Sequence, residues 1–198
     1  MPALDTKTQI LNVALDLFNR SGSGNVTTNQ IAEAAGRSPG NLYYHFRNKE
    51  EIALRLLERL ITRWDEVYAM PSDVMPGIDD LERMVRQNFE ALWDFRFIYR
   101  DLQGLQRDPA FRDRYVTARE NGFAGFRLLL GAFSAAGVIR PPETDAETDE
   151  LADILWIIGD YWLAFLEAGG KPVTPQDLNR GTALFRRVLN PYLRTLSK

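Results

Sequence analysis

The chain lacks cysteine altogether and holds one histidine, His45, among 198 residues. Without cysteine there can be no disulfide, no thiolate metal site and no thiol nucleophile. A lone histidine cannot build a multi-histidine or mixed Cys/His metal site, and no acid–base partner is paired with it by motif. Long apolar runs are also missing. No stretch approaches 18 consecutive apolar residues, and the richest, 151–168, is interrupted by Asp153 and Asp160, so no membrane span is expected. The opening MPALDTKTQILNVALDLF mixes acids into its apolar residues and does not read as a signal peptide. Together with the absence of cysteine, this suits a cytoplasmic location. There is no glycine-rich phosphate loop and no metal-ligand spacing, so neither cofactor nor metal is expected. An enzyme on this chain would need a converging acid–base pair that the motifs do not supply.

What is present is ordinary for a globular protein: 45% hydrophobic and 26% charged residues, enough chain to bury a core. Apolar residues recur at helical spacing nearly everywhere, and no alternating strand pattern of useful length occurs. The fold class is all-α. Ile10, Leu11, Ala14, Leu15 and Phe18 mark a first helix capped by Asp5 or Thr6 and stopped by Ser-Gly-Ser-Gly at 21–24. Thr27 or Thr28 caps a short second helix ending at Gly36. Ser38 and Pro39 read as N-cap and first residue of a third short helix running to about His45. Asn48 with Glu51 starts a long fourth helix. Further helices are expected from about 78 to Trp93, at 110–136, at 146–168 and at 175–196.

Net charge of −3 conceals an asymmetry. Residues 1–50 carry five basic side chains (Lys7, Arg20, Arg37, Arg47, Lys49) against four acids (Asp5, Asp16, Glu33, Glu50), a balance of +1. From the totals of 24 and 27, the remainder holds 19 basic and 23 acidic groups, a balance of −4. From Gly36 to Lys49 there is no acid, which points to a local anion-binding face on an acidic molecule.

Three helices joined by tight turns at 6–45 suggest a helix-turn-helix, whose third helix enters the DNA major groove. Pro39, Gly40 and Asn41 are small enough for close approach, and Asn41 can pair bidentately with adenine or meet a phosphate. Tyr43 and Tyr44 offer hydroxyls to phosphates and ring faces to sugars or thymine methyls. Thr27, Thr28 and Lys49 can hold the backbone on either flank, and Arg37 adds a phosphate contact. His45 is either a packed, hydrogen-bonded side chain or a phosphate contact. Leu42 and Phe46, four apart, form the inward face. As a pair on a helix, Tyr43 and Tyr44 could equally be packing; the surrounding pattern favours DNA.

The stretch TTNQIAEAAGRSPGNLYYHFRNKEEI resembles the signature of the tetracycline-repressor (TetR) family of bacterial regulators, matching at Thr28, Ile31, Ala32, Ala35, Gly36, Leu42, Tyr43, His45, Phe46, Lys49 and Glu50. Arg37 departs from it, standing where the family often has a small apolar residue. The resemblance implies a DNA-binding head, here 1–48, including Ser38 in its DNA-facing set, and a helical body, 49–198. The body would hold a small-molecule pocket and a homodimer interface made by the last two helices. Effector binding would then release a dimeric repressor from a palindromic operator; a regulator without any effector is the alternative.

Aromatic side chains crowd the body, and each can be core or pocket lining. Trp93, Phe97, Phe126, Trp156, Asp160 and Tyr161 are the expected pocket residues. Asp160, an acid in an apolar helix, needs a partner, a polar ligand or water. The expected effector is apolar or aromatic. Acids at 143–150 suit a solvated helix start.

Overall fold

Side chains that accept otherwise orphaned N–H groups decide where the helices begin. The computed structural model describes residues 5–70, 74–170 and 173–194. Asp5 accepts from the Thr8 amide at 2.9 Å and opens α1, Thr6–Ser21. Gly22, at φ +80°, ends it, one residue later than the start of the Ser-Gly-Ser-Gly signal. Thr27 and Gln30 form a reciprocal capping box at α2, Thr28–Ala34. Gly36 then turns the chain at φ +64°. Ser38 caps α3, Pro39–His45. Asn48 accepts from the Glu51 amide at 2.8 Å to start α4, Lys49–Tyr68. Glu51 in turn accepts from Arg47 rather than Asn48, a box shifted by one residue.

Then come α5, Ile78–Asp94; α6, Arg96–Arg100; α7, Leu102–Leu105; α8, Pro109–Ala135; α9, Asp145–Ala168; and α10, Pro175–Leu189. The two short helices α6 and α7 occupy ground where periodicity is too brief to read. The last helix stops at Leu189, not near 196: Pro191 lacks an N–H, and Asn190–Tyr192 tightens into a 3₁₀ turn. Residues 195–196 lie outside the described set. Among the described residues there is no named strand, only an isolated bridge between Ile139 and Leu193.

Compactness divides the chain into two units: Met1–Thr62 with Asp94–Val116, and Arg63–Trp93 with Thr117–Lys198. In the first, Ile10, Phe18, Ile31, Leu42, Leu56 and Phe97 are fully buried, and Phe18 meets Phe97 at 5.1 Å between ring centres. Each such side chain contributes about 1.5–3 kcal/mol on burial. Asn19, also buried, joins α1 to the 94–97 stretch: its amide nitrogen donates to the Asp94 carbonyl at 2.7 Å and its oxygen accepts from the Phe97 amide at 3.1 Å.

In the second unit, Met84, Leu130, Phe133, Leu151, Leu155 and Leu189 form a core shared by α5, α8, α9 and α10. Glycine sets the closest approach there. A Cβ at Gly181 would lie 2.5 Å from Phe89 Cε1 and 2.7 Å from Trp162 Cδ1, so α10 can rest on those rings only without a side chain. Likewise a Cβ at Gly122 would fall 2.5 Å from the Trp156 ring. Thr144 caps α9, accepting from the Glu147 amide at 3.0 Å, and acids fill the first turn. Bonds from the Glu143 amide and the Tyr192 hydroxyl hold the Glu147 carboxyl below the usual carboxylate range. One face of α9 stays open, with Ile154, Ile157, Tyr161 and Phe165 between 46% and 67% exposed.

Replacing Gly181 by Val should lower stability by about 1–3 kcal/mol through overpacking, read from the urea midpoint; an unchanged midpoint would contradict this packing. A second expectation concerns acid. The Thr8 amide, and then its hydroxyl, hold the Asp5 carboxyl below its ordinary value. Its stabilisation is therefore present above that ordinary value and lost as pH falls through the depressed one. Asp5→Asn keeps an accepting oxygen but does not titrate, so its unfolding midpoint should fall less steeply than wild type between about pH 5 and pH 2.

Candidate nucleic-acid interface

Along α3, residues alternate between core and solvent with helical spacing. Leu42 and Phe46 are 0% and 1% exposed, while Tyr43 and Tyr44 are 50% and 83% exposed. Ser38, Pro39, Gly40 and Asn41 are exposed as well. The helix is thus anchored on one side and bare on the other, as two apolar residues four apart require. Gly40 has open space where a side chain would stand.

Several of the polar groups are already oriented. The Tyr43 hydroxyl lies 2.9 Å from Thr28 Oγ1, linking α3 to α2. Thr27 serves the capping box. Tyr44 meets His45 edge-on at 5.1 Å, and His45 is half-buried. Arg37 is exposed and donates to the Gln9 side chain at 2.7 Å. The Lys49 ammonium donates to the Ser23 carbonyl at 2.6 Å, which leaves two of its three N–H donors. So the structure gathers Thr28, Tyr43, Tyr44 and His45 with the start of α3, and assigns Arg37 and Lys49 intramolecular partners that the sequence reading did not foresee.

Ser23 and Asp101 escape the sequence reading. Ser23 is 6% exposed, and both its amide and its hydroxyl donate to Asp101 Oδ2, at 2.5 and 2.7 Å. The two are 78 positions apart, and no local pattern signals such a pair.

The six expected pocket residues are divided between the units. Phe97 is a core side chain of the first, against Phe18. The other five fall in the second. Trp156 stacks on Phe123 at 4.7 Å and donates its indole N–H to Asp160 Oδ2 at 2.7 Å. Arg119 lies over both rings, 5.3 Å from Phe123 and 5.9 Å from Trp156. Asp160 is buried; its charge, after burial itself, helps push the Tyr68 hydroxyl above its ordinary pKa. Phe126 packs against the core of this unit and Trp93 is half-buried, whereas Tyr161 lies on the open face of α9. A cleft of about 520 Å³ lies elsewhere, in the first unit, lined by polar residues including Asn12, Asp16, Arg20, Arg59 and Arg96.

Among the described residues no group of three or more metal-capable side chains occurs, and no helix is long and apolar enough to cross a membrane.

Comparison with known proteins agrees with this geometry. A family model described as bacterial regulatory proteins, tetR family, matches residues 10–56, and one described as bacterial transcriptional repressor matches 60–198. The regulator TtgR of Pseudomonas putida is 35% identical over 167 residues, 79% of each chain. QacR of Staphylococcus aureus is 40% identical over 65 residues, 33% of this chain and 35% of that one, so the chain spans about a third of that relative's length. A crystal structure of a TetR-family transcriptional regulator from Marinobacter aquaeolei superposes with TM-score 0.87 at 31% identity, covering 96% of this chain and 92% of that one. A transcriptional regulator from Saccharomonospora viridis, solved with choline, shares the fold at TM-score 0.74 and 22% identity, covering 96% and 98%. With a buried–exposed third helix inside the first matched region and the second match spanning 60–198, the chain belongs to the TetR family of bacterial transcriptional regulators.

Proposed function

We propose that this chain is a cytoplasmic, homodimeric transcriptional repressor, released from a palindromic operator by a small-molecule effector. The observation that carries the DNA-binding part is the bare face of α3: Asn41, Tyr43 and Tyr44 exposed in an acid-free stretch, over a buried Leu42–Phe46 pair. In the proposed complex, the first turn of α3, Ser38 to Asn41, approaches base edges in the major groove. Tyr43, held by Thr28, and Tyr44 meet the backbone on one side. Thr27, Arg37 and the two remaining Lys49 donors meet it on the other, with His45 supporting Tyr44. We assign the head to 1–48 and the effector-binding and dimerisation body to 49–198.

The open apolar stripe of α9 supports dimerisation through the last two helices. A monomer leaving Ile154, Ile157, Tyr161 and Phe165 bare exposes a contiguous apolar face, and a two-fold axis would bury the same face twice. For the effector, the aromatic grouping of Trp156 and Phe123 beside buried Asp160, with Trp93 and Phe126 of the same unit as further lining, favours an apolar or aromatic molecule with a polar handle; Phe97, buried in the other unit, and Tyr161, on the open face of α9, drop out of the expected lining. Such a molecule releases DNA only if it binds the DNA-incompetent state more tightly.

Three measurements test this reading. Tyr43→Phe, Asn41→Ala and Lys49→Ala should each weaken operator binding, by roughly 1–3 kcal/mol for the Asn41 base contact, while dimers stay intact in sedimentation. Full binding by all three would defeat it. Operator affinity of the wild type should fall with log salt at a slope of about −0.9 per phosphate neutralised. Ile157→Glu should shift the protein to monomers and abolish high-affinity binding; an unchanged dimer would remove α9 from the interface.

A further inference from the structure

We infer that Asp101 is a positioning residue for the DNA-binding face, acting through Ser23; this rests on the DNA-binding reading above. Ser23 is buried, and charged side chains engage its amide, hydroxyl and carbonyl. Its amide and hydroxyl donate to the Asp101 carboxylate at 2.5 and 2.7 Å, and its carbonyl accepts from the Lys49 ammonium at 2.6 Å. Gly22 beside it stands at φ +80°, and a Cβ there would lie 3.5 Å from Asp101 Oδ2, so the carboxylate lies close over the turn.

The positions of these groups in the chain give the bond its consequence. Ser23 sits in the turn that delivers Thr27 and Thr28, the latter touching the Tyr43 hydroxyl. Lys49 begins α4, immediately after α3 and its connecting turn. One serine therefore ties together the two segments that frame α3, and Asp101 holds that serine in place. Bonds to a carboxylate are about twice as strong as neutral ones. Removing the carboxylate leaves two buried donors unpaired, and the turn relaxes to hydrate them. The phosphate-facing groups on the two flanks of α3 then lose their common anchor, although none of them has been altered.

Asp101 has no place in the proposed contact set, and it lies on the 94–116 stretch that the chain joins to the second unit at both ends. No TetR-signature position identifies it. It acts on DNA binding without touching DNA.

The test uses the full-length protein and a duplex that the wild type enriches from a randomised pool, with affinity read by fluorescence anisotropy well below the melting temperature. Failure of the wild type to enrich any duplex overturns the DNA-binding reading and this inference with it. Given a duplex, Asp101→Ala should lose about tenfold or more in affinity. Its salt slope should also be shallower than wild type by about one or two, because misplaced flanks neutralise fewer phosphates. A substitution that merely destabilised the fold would leave that slope unchanged. Asp101→Asn keeps an accepting oxygen and should bind within about threefold of wild type. Ser23→Ala, which removes one of the two donors and leaves the amide bond in place, should lose roughly threefold and remains informative should Asp101→Ala fail to fold. Wild-type affinity in Ser23→Ala and in any folded Asp101→Ala, or an unchanged salt slope, overturns the assignment while leaving the DNA-binding reading standing.

Discussion

A seven-residue helix cannot hold itself together in water, because nucleation costs more than so few bonds return. Everything proposed for α3 therefore depends on the burial of Leu42 and Phe46. Their spacing of four places both on one side, and their complete removal from solvent fixes which way the remaining residues point. Asn41, Tyr43 and Tyr44 are outward because those two are inward. The Ser38 cap and the Gly36 turn settle where the helix starts, but they would not settle its rotation about its own axis. That rotation is a packing result, and it decides whether the segment meets a partner or merely fills space.

The second unit obeys a related constraint in another form. Its helices approach through glycine, with Gly122 under the Trp156 ring and Gly181 under Phe89 and Trp162. Large flat side chains then supply the contact area that the glycines forgo. The result leaves α9 buried on one side by Leu151, Leu155 and Trp162 and open on the other along Ile154, Ile157, Tyr161 and Phe165. A helix apolar on two sides gives one to its own core and leaves the other bare. The same arrangement locates the buried acid. Asp160 sits where the indole N–H of Trp156 can reach it and where its charge is felt by Tyr68.

Polar bonds of long sequence separation do a different task, holding segments in register. Asn19 spans from α1 to the 94–97 stretch, and Asp101 reaches back to Ser23. Buried and paired, each such group is costly to break from one side only, since the partner is then left desolvated and unmatched. In the first unit these bonds couple α1 and the turn ahead of α2 to residues nearly eighty positions away.

Much of this was legible from residues alone. Ser38 and Asn48 mark helix starts, Asp5 or Thr6 and Thr27 or Thr28 narrow two more to adjacent residues, of which the structure chose Asp5 and Thr27, Gly36 marks a turn, and the 3.6-residue rhythm marks the long helices, because the bonds involved close within four residues. The inward pair Leu42 and Phe46, and hence the outward tyrosines, followed from the same rhythm. Other features were out of reach. Arg37 bonds Gln9 and Lys49 bonds Ser23, both across more than twenty positions, although charge alone suggested phosphate for each. Phe97 belongs with Phe18, though its sequence neighbours offered it to a pocket. The end of α10 at Leu189 turned on one proline that the apolar rhythm overran. By itself the sequence determined the long helices, most of their starts and the chemistry displayed on α3, since these depend on neighbours along the chain. Only the tertiary structure decided which charged groups stay available and which are spent inside the molecule, because that depends on what folding brings within three ångströms.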